Sequence, residues 1–292
     1  DLEARLLRVV DAAHFAEDPL RVFRALQFVA RLELRIEPAT FELMRSMVDS
    51  GQLDELSPER ITDEWKKLLL KAEKPSLGLE LARQLGIIKK YYPELHALIG
   101  VDQEKEWHPE GDVWTHEMMV LDWAAKIIRE DSRGLSLPEK LQVMIGALCH
   151  DLGKPATTAY VDGRIRSRGH EEAGEEPALA LCQRHTFGED AEHAATVIAT
   201  DHLKPGMLHI AFEKGKMTET QYANAVRKVV KRIQPLSWRA YIAAAEADWR
   251  GRAMPEVQSG SYPAGEKFIS TIMSLGLDKT PPKPLIQGRD LI

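Results

Sequence analysis

Adjacent His150 and Asp151 close the apolar run Ala147-Leu148-Cys149 and are followed at once by Leu152-Gly153-Lys154-Pro155. This pattern predicts a buried helix that delivers an imidazole and a carboxylate at its C-terminal end, with Gly153 and Pro155 stopping it. His116, His170, His202 and Asp248 stand in helical or turn settings of their own. Nitrogen and oxygen donors of this kind suit Ni, Mn, Mg, Fe or Zn rather than a thiolate-held metal. Lys154, Arg166 and Arg168 could neutralise phosphate charge at such a centre. A second group lies near the start of the chain. On a helix over residues 20–32, Arg21, Arg24 and Arg31 fall within roughly 80° of one another, beside the acidic pair Glu17 and Asp18. Three guanidinium groups on one face suit phosphate binding. Asp18 and Arg21 together offer the acceptors and donors that reading a base edge requires.

These residues need elements to position them. Asp18 can cap the first helix, and Pro19 fits its first turn. Residues 1–17 read as a connecting segment. Short helices follow over 38–49, from Ser57 onward, and over 76–85, with apolar faces such as Ile61, Trp65 and Leu68. A polar loop over 101–114 with Pro109 and Gly111 places a domain boundary near residue 100. His116 then falls in the first turn of a helix beginning at Thr115, and Pro138 to Asp151 forms the helix that ends in the His-Asp pair. Asp162-Gly163 between two alternating runs is the one clear hairpin signal, and Gly169-His170 opens the next helix. His202 closes a helix over 191–200, and Asp248 closes an Ala-rich helix beginning at Trp238. The remaining histidines (His14, His96, His108, His185, His193 and His209) and Cys149 read as structural or solvated. A further helix over 262–275 precedes a Pro-rich linker at 280–284.

Composition narrows the classes. The chain has 292 residues, enough for about two domains and a sizeable core. A net charge of −6 excludes a chain that is basic throughout, so nucleic-acid binding must use a local patch. The cysteines are only two, Cys149 and Cys182, which suggests no disulfide framework and a cytoplasmic setting. No apolar run is long enough to predict a membrane span, and no signal peptide is evident. The start at Asp1 and the abrupt end at Ile292 suggest that both ends are cut from a longer protein.

The stretch Glu17-Asp18-Pro19-Leu20-Arg21-Val22-Phe23-Arg24, followed by Phe28-x-Ala30-Arg31-Leu32, resembles the neck motif of bacterial tRNA nucleotidyltransferases (CCA-adding enzymes) and poly(A) polymerases. The resemblance implies that Asp18 and Arg21 template the base of CTP or ATP, and that Arg21 and Arg24 contact the nucleotide. Glu59-Arg60-Ile61 and Trp65-x-x-Leu68-Leu69 resemble the family's body, which supports tRNA. The family's head carries a Gly-Ser motif and a D-x-D pair that binds Mg²⁺ for nucleotidyl transfer. Neither motif lies upstream of Glu17, and only residues 1–11 resemble the last part of a head. Lys283-Pro284-Leu285-Ile286-x-Gly288-x-Asp290-Leu291 resembles the start of the family's tail.

The order His116, His150-Asp151, His170, His202, Asp248 resembles the HD superfamily of metal-dependent phosphohydrolases. By that resemblance His116, His150, Asp151 and Asp248 hold the core metal. His170 and His202 match the extra histidines that hold a second metal or the substrate. The resemblance implies an all-α protein with one small β-hairpin: neck and body over 1–100, an HD domain over 101–254, and the start of a tail over 255–292. It further implies tRNA, CTP, ATP and a phosphoester or cyclic nucleotide as partners. The implied activities are CCA addition in the intact protein and hydrolysis by a metal-activated water, as 2′,3′-cyclic phosphodiesterase, 2′-nucleotidase and phosphatase. In that hydrolysis His150, Asp151 and Lys154 would be the catalytic groups. The alternative is a tRNA-binding module with a metal-free HD scaffold.

Overall fold

The computed structural model describes residues 3–278, and over them the chain is mostly α-helical. The Pro-rich linker at 280–284 and the tail-like stretch at 283–291 lie outside the described residues. A first stretch comprises strand β1 (Leu6–Leu7), helices α1 (Ala12–Ala16) and α2 (Leu20–Leu32), and strand β2 (Arg35–Ile36). It continues through α3 (Pro38–Asp49), α4 (Pro58–Lys71), α5 (Pro75–Gln84), α6 (Ile87–Tyr91) and α7 (Pro93–His96). Next come α8 (Val113–Arg129), α9 (Leu137–Cys149), α10 (Lys154–Thr157), β3 (Thr158–Val161), β4 (Arg164–Ser167) and α11 (His170–Ala173). The remaining helices are α12 (Glu175–Arg184), α13 (Glu189–Asp201), α14 (Lys204–Glu213), α15 (Glu219–Arg232), α16 (Trp238–Arg250), α17 (Pro255–Ser259) and α18 (Pro263–Ser274).

Two compact units divide these elements. The first takes residues up to His202 together with Pro235–Ser261; the second takes Leu203–Gln234 and the chain from Tyr262. Residues on both sides of position 100 belong to the first unit. Ser76 at the start of α5 bonds the Asp122 carboxylate of α8 through its backbone N–H (3.0 Å) and its hydroxyl (2.7 Å). Arg184 of α12 makes a forked pair with Glu94 of α7 at 2.7 and 2.6 Å.

Apolar spacing explains the helices. In α2 the buried residues Val22, Phe23, Leu26, Val29 and Ala30 recur at helical spacing and pack on α4 and α5. The hairpin forms as the Asp-Gly signal requires. Asp162 and Gly163 both take positive φ (51° and 76°), which matches the twist of the strands they join. A second small sheet, β1 paired in parallel with β2, joins the expected connecting segment to the core. Strands of two residues are too short to leave a readable alternation, so this sheet has no sequence signal.

The corner after α9 corrects the expected helix stop. The helix ends at Cys149, and Pro155 sits in the first turn of the short helix α10 rather than terminating α9. Its fixed φ suits that position, where no backbone N–H is needed.

Candidate metal centre

The structure brings all six expected metal-site residues into one buried cluster. His116 and His150 lie on the first turn of α8 and just past the end of α9, and Asp248 lies on the last turn of α16. His116, His150, Asp151 and His202 are each 3% exposed or less, and Asp248 and His170 are under 9%. His116 Nε2 is 3.1 Å from Asp248 Oδ1, and His150 Nε2 is 3.2 Å from Asp151 Oδ2 and 3.7 Å from Asp248 Oδ1. His170 Nε2 is 3.6 Å from the other Asp151 oxygen, Oδ1. Donor atoms of His116, His150 and Asp151 lie within 4.8 Å of one another, and so do those of Asp151, His170 and His202. Asp151 is common to both groups.

Each imidazole is anchored from behind. His150 Nδ1 donates to the Ala147 carbonyl at 2.7 Å, and His170 Nδ1 to the Ser167 carbonyl at 2.7 Å. His202 Nδ1 donates to the Ile198 carbonyl at 3.0 Å, and His116 Nδ1 bonds the Glu110 carboxylate at 2.8 Å. A carbonyl only accepts, so in His150, His170 and His202 these bonds place a proton on Nδ1 and turn Nε2 toward the cluster. Metal-ligating histidines are held in this way, with the distal nitrogen bonded to a carboxylate or carbonyl. On the inner side, His150 Nε2, His170 Nε2 and Asp151 Oδ1 are buried without a hydrogen-bond partner among the described residues. Buried acceptors left so cost stability unless something satisfies them. The donor set therefore fits a divalent cation.

The electrostatics follow from the crowding. Burial alone would pull His150 down, but the Asp151 and Glu117 carboxylates outweigh it and raise the imidazole to about 10. Burial would raise Asp151 and Asp248. His150 and Lys154 hold Asp151 well below the usual carboxylate range, and the His116 hydrogen bond does the same for Asp248. His202 is pulled down to about 4 by burial. The cluster as it stands has excess negative charge that protons on histidine must balance, which is the role a cation would take over.

Lys154 also enters the site. Its Nζ lies 2.7 Å from Asp151 Oδ2 and donates to Gln103 Oε1 at 2.7 Å. Arg166 is partly buried with Nε enclosed, and Arg168 is exposed. Two glycines fix the local backbone. Gly169 takes φ 78° immediately before α11. A Cβ on Gly153 would lie 2.0 Å from the His170 carbonyl oxygen, so only glycine lets the corner after α9 touch α11.

Sequence reasoning missed the outer groups. His108, read as structural or solvated, has its ring 4.6 Å from that of His116 and bonds Glu110 Oε1 at 2.8 Å. Glu110 accepts from both histidines through that one oxygen, and its Oε2 accepts from the Ala253 N–H at 3.1 Å. Glu117 is fully buried, 3.3 Å from His150 Nδ1. The available signal was the His-x-Glu triplet 108–110, whose Glu110 stands six residues ahead of His116, but a loop carries no periodicity to rank it.

The three neck residues stand elsewhere, on and before α2. Arg21 and Arg24 line a cavity of about 310 Å³ with Arg8, Val9, Phe28 and Thr40. Asp18 does not line it; the Arg60 guanidinium spans both its carboxylate oxygens at 3.0 and 3.1 Å. Arg31 turns to the Gln27 side chain at 2.8 Å.

Known proteins resemble this chain along most of its length. Residues 33–99 match a family described as the probable RNA and SrmB-binding site of polymerase A. A multifunctional CCA protein of Burkholderia mallei (strain SAVP1) is 38% identical over 278 residues, covering 94% of this chain and 61% of that protein. The multifunctional CCA protein of Cupriavidus metallidurans is 39% identical over 275 residues, covering 92% and 60%. The chain thus spans about three-fifths of the length of these curated relatives. An apo CCA-adding enzyme structure aligns with 99% of this chain and 56% of its own, at TM-score 0.55 and 16% identity. The Thermotoga maritima CCA-adding enzyme complexed with tRNA aligns with 100% and 55%, at TM-score 0.51 and 17% identity. At such identities the two structures show a shared fold. The neck motif, the matched body and the curated relatives agree: over most of its length the chain is similar to CCA-adding enzymes and, over residues 33–99, to the RNA-binding region of polymerase A.

Proposed function

We propose that the buried cluster is the metal centre of a phosphohydrolase, carried by a protein that adds or repairs CCA at the 3′ end of tRNA. The observation that carries the hydrolase reading is the set of four imidazoles, each with Nδ1 anchored, facing the Asp151 carboxylate, whose Oδ1 lacks a hydrogen-bond partner. His116, His150, Asp151 and Asp248 would hold one divalent ion, with His170 and His202 available for a second. Such an ion supplies Lewis acidity and a water of lowered pKa at neutral pH. The protein's own groups do the rest. Asp151 orients whatever its two oxygens face. Lys154, buried and cationic, balances a phosphate oxygen arriving beside Asp151. Gln103 holds the Lys154 ammonium in place. Burial of the cluster excludes bulk water and strengthens each of these interactions.

In the same reading the functional division is neck and body over 1–100, the hydrolase over 101–254 and the start of a tail beyond. Arg21 and Arg24 contact the CTP or ATP nucleotide, Arg21 also reading its base with Asp18, and nucleotidyl transfer itself depends on Mg²⁺ in the intact protein. The matched RNA-binding region and the relatives' names support tRNA as the substrate. Asp18 would have to leave Arg60 to template a base.

The test is hydrolysis of 2′,3′-cyclic AMP after chelation and add-back of Ni²⁺, Mn²⁺ or Mg²⁺. Metal-dependent turnover that disappears in Asp151→Ala is expected. A folded protein that turns over no cyclic nucleotide with any metal would rule the cyclic phosphodiesterase out. One contact favours the alternative, a tRNA-binding module with a metal-free scaffold: the Lys154 ammonium already sits on Asp151. Equilibrium dialysis separates the two, because the hydrolase requires bound metal that His150→Ala loses.

A further inference from the structure

The second unit is electrostatically unlike the rest of the chain. Residues 203–234 hold seven Lys and Arg against two Glu, in a chain whose net charge is −6. Four of the cations, Arg227, Lys228, Lys231 and Arg232, fall on the last half of α15, and all four are exposed. The helix is well specified. Thr218 and Gln221 form a reciprocal capping box at its start, and Tyr222, Val226 and Val230 are buried. At 100° per residue the buried positions occupy an arc of about 80°, and the basic four an arc of about 140° centred nearly opposite. The cationic face thus points away from the packed one.

The helix has little to set against that charge. Its one carboxylate, Glu219, is taken by Lys267 of α18, whose Nζ reaches both oxygens at 2.7 and 2.9 Å. Arg227 donates to Asn224 at 3.1 Å, which keeps a full charge facing solvent. Among the described residues no carboxylate pairs with Arg227, Lys228 or Lys231. Clustered like charges repel, and an exposed row of them is the footprint of a polyanion partner.

We propose that the basic face of α15 is an RNA-backbone contact surface, with Arg227, Lys228 and Lys231 on phosphates. This rests on the reading of tRNA as the protein's substrate and adds to it a surface outside the matched region 33–99. The contact is sequence-independent, because phosphates carry no base identity.

The experiment measures binding of a labelled tRNA transcript to the full chain over a KCl series. The variants are Arg227→Gln/Lys228→Gln/Lys231→Gln and the corresponding triple Glu variant, each checked for an unchanged far-UV spectrum. Glutamine keeps helix propensity, so the first variant stays informative if charge reversal unfolds the unit. Loss of three phosphate contacts weakens binding about tenfold or more near 0.1 M salt and flattens the slope of log K against log salt by about 2. Wild-type binding with the same affinity and slope in a folded Gln variant overturns the surface. A wild-type chain that binds no tRNA at all overturns the substrate reading, and this inference with it.

Discussion

A histidine that ligates a metal has two nitrogens with different tasks, and in this cluster the outer one is held by groups that can be removed singly. Glu110 anchors His116 and His108 through one oxygen. Glu110→Gln should therefore weaken divalent-metal binding about 10- to 100-fold without unfolding the chain. Competition against a coloured chelator reads this out, and unchanged affinity would show that His116 is not a ligand. His150→Ala removes an inner donor and should abolish high-affinity binding in the same assay. Lys154→Met tests a different role. If the ammonium balances substrate phosphate, turnover falls about 100-fold or more while metal binding holds or tightens, since a cation beside Asp151 is gone. The six inner residues stood out by type, and their order resembles that of the HD superfamily, which is what grouped them. Glu110, His108 and Gln103 did not stand out, because they sit in a loop and reach the site only through the fold.

At the scale of the element, glycine contacts decide how closely helices approach. A Cβ at Gly153 would meet backbone, at 2.0 Å from the His170 oxygen and 2.5 Å from the Gly174 nitrogen. A Cβ at Gly146 would meet Ile198 Cδ1 at 2.0 Å, the far end of a side chain. Backbone cannot step aside without moving α11, whereas an isoleucine can change rotamer. Gly153→Ala should cost about 3 kcal/mol or more in urea unfolding and lower metal affinity, and Gly146→Ala should cost about 1–2 kcal/mol. Equal losses from the two substitutions would contradict the argument. Most helices were readable from apolar spacing, and the hairpin from Asp-Gly. The parallel pairing of β1 with β2 and the start of α10 at Lys154 were not, since two-residue strands and four-residue helices lie below the length at which a period can be counted.

Across the whole of the first unit, one buried histidine links distant stretches of chain. His185 stacks on Tyr92, ring centroids 5.4 Å apart and nearly parallel, and packs edge-on to Trp65 of α4. Burial pulls its imidazole down to about 3, with Arg184 adding to the effect. An unfolded histidine titrates near 6.5. Between these values the unfolded chain binds the extra proton, so stability rises with pH across that window and is lost as pH falls from about 6.5 toward 3. The slope from this group alone approaches about 1.4 kcal/mol per pH unit. His185→Phe keeps the ring contacts and removes the proton site. Urea unfolding at pH 7 and pH 5 should show a smaller pH dependence in the variant, and an identical dependence would mean that other groups carry it. No helix among the described residues is long and apolar enough to cross a membrane.

Residue type, order and helical spacing by themselves determined the mostly α architecture, the helix over 20–32 with its arginine stripe, and the donor types of the buried cluster. They suffice there because a helix face repeats every few residues and a metal demands particular donor atoms. Tertiary structure decided what spacing cannot carry. It brought Asp248 to His116 across 132 positions, turned Asp18 to Arg60 rather than into the cavity of Arg21 and Arg24, and set Glu110 behind His116. Those contacts join loops and helix ends whose separation along the chain has no period, and only the packing of helices of fixed length settles which ends meet.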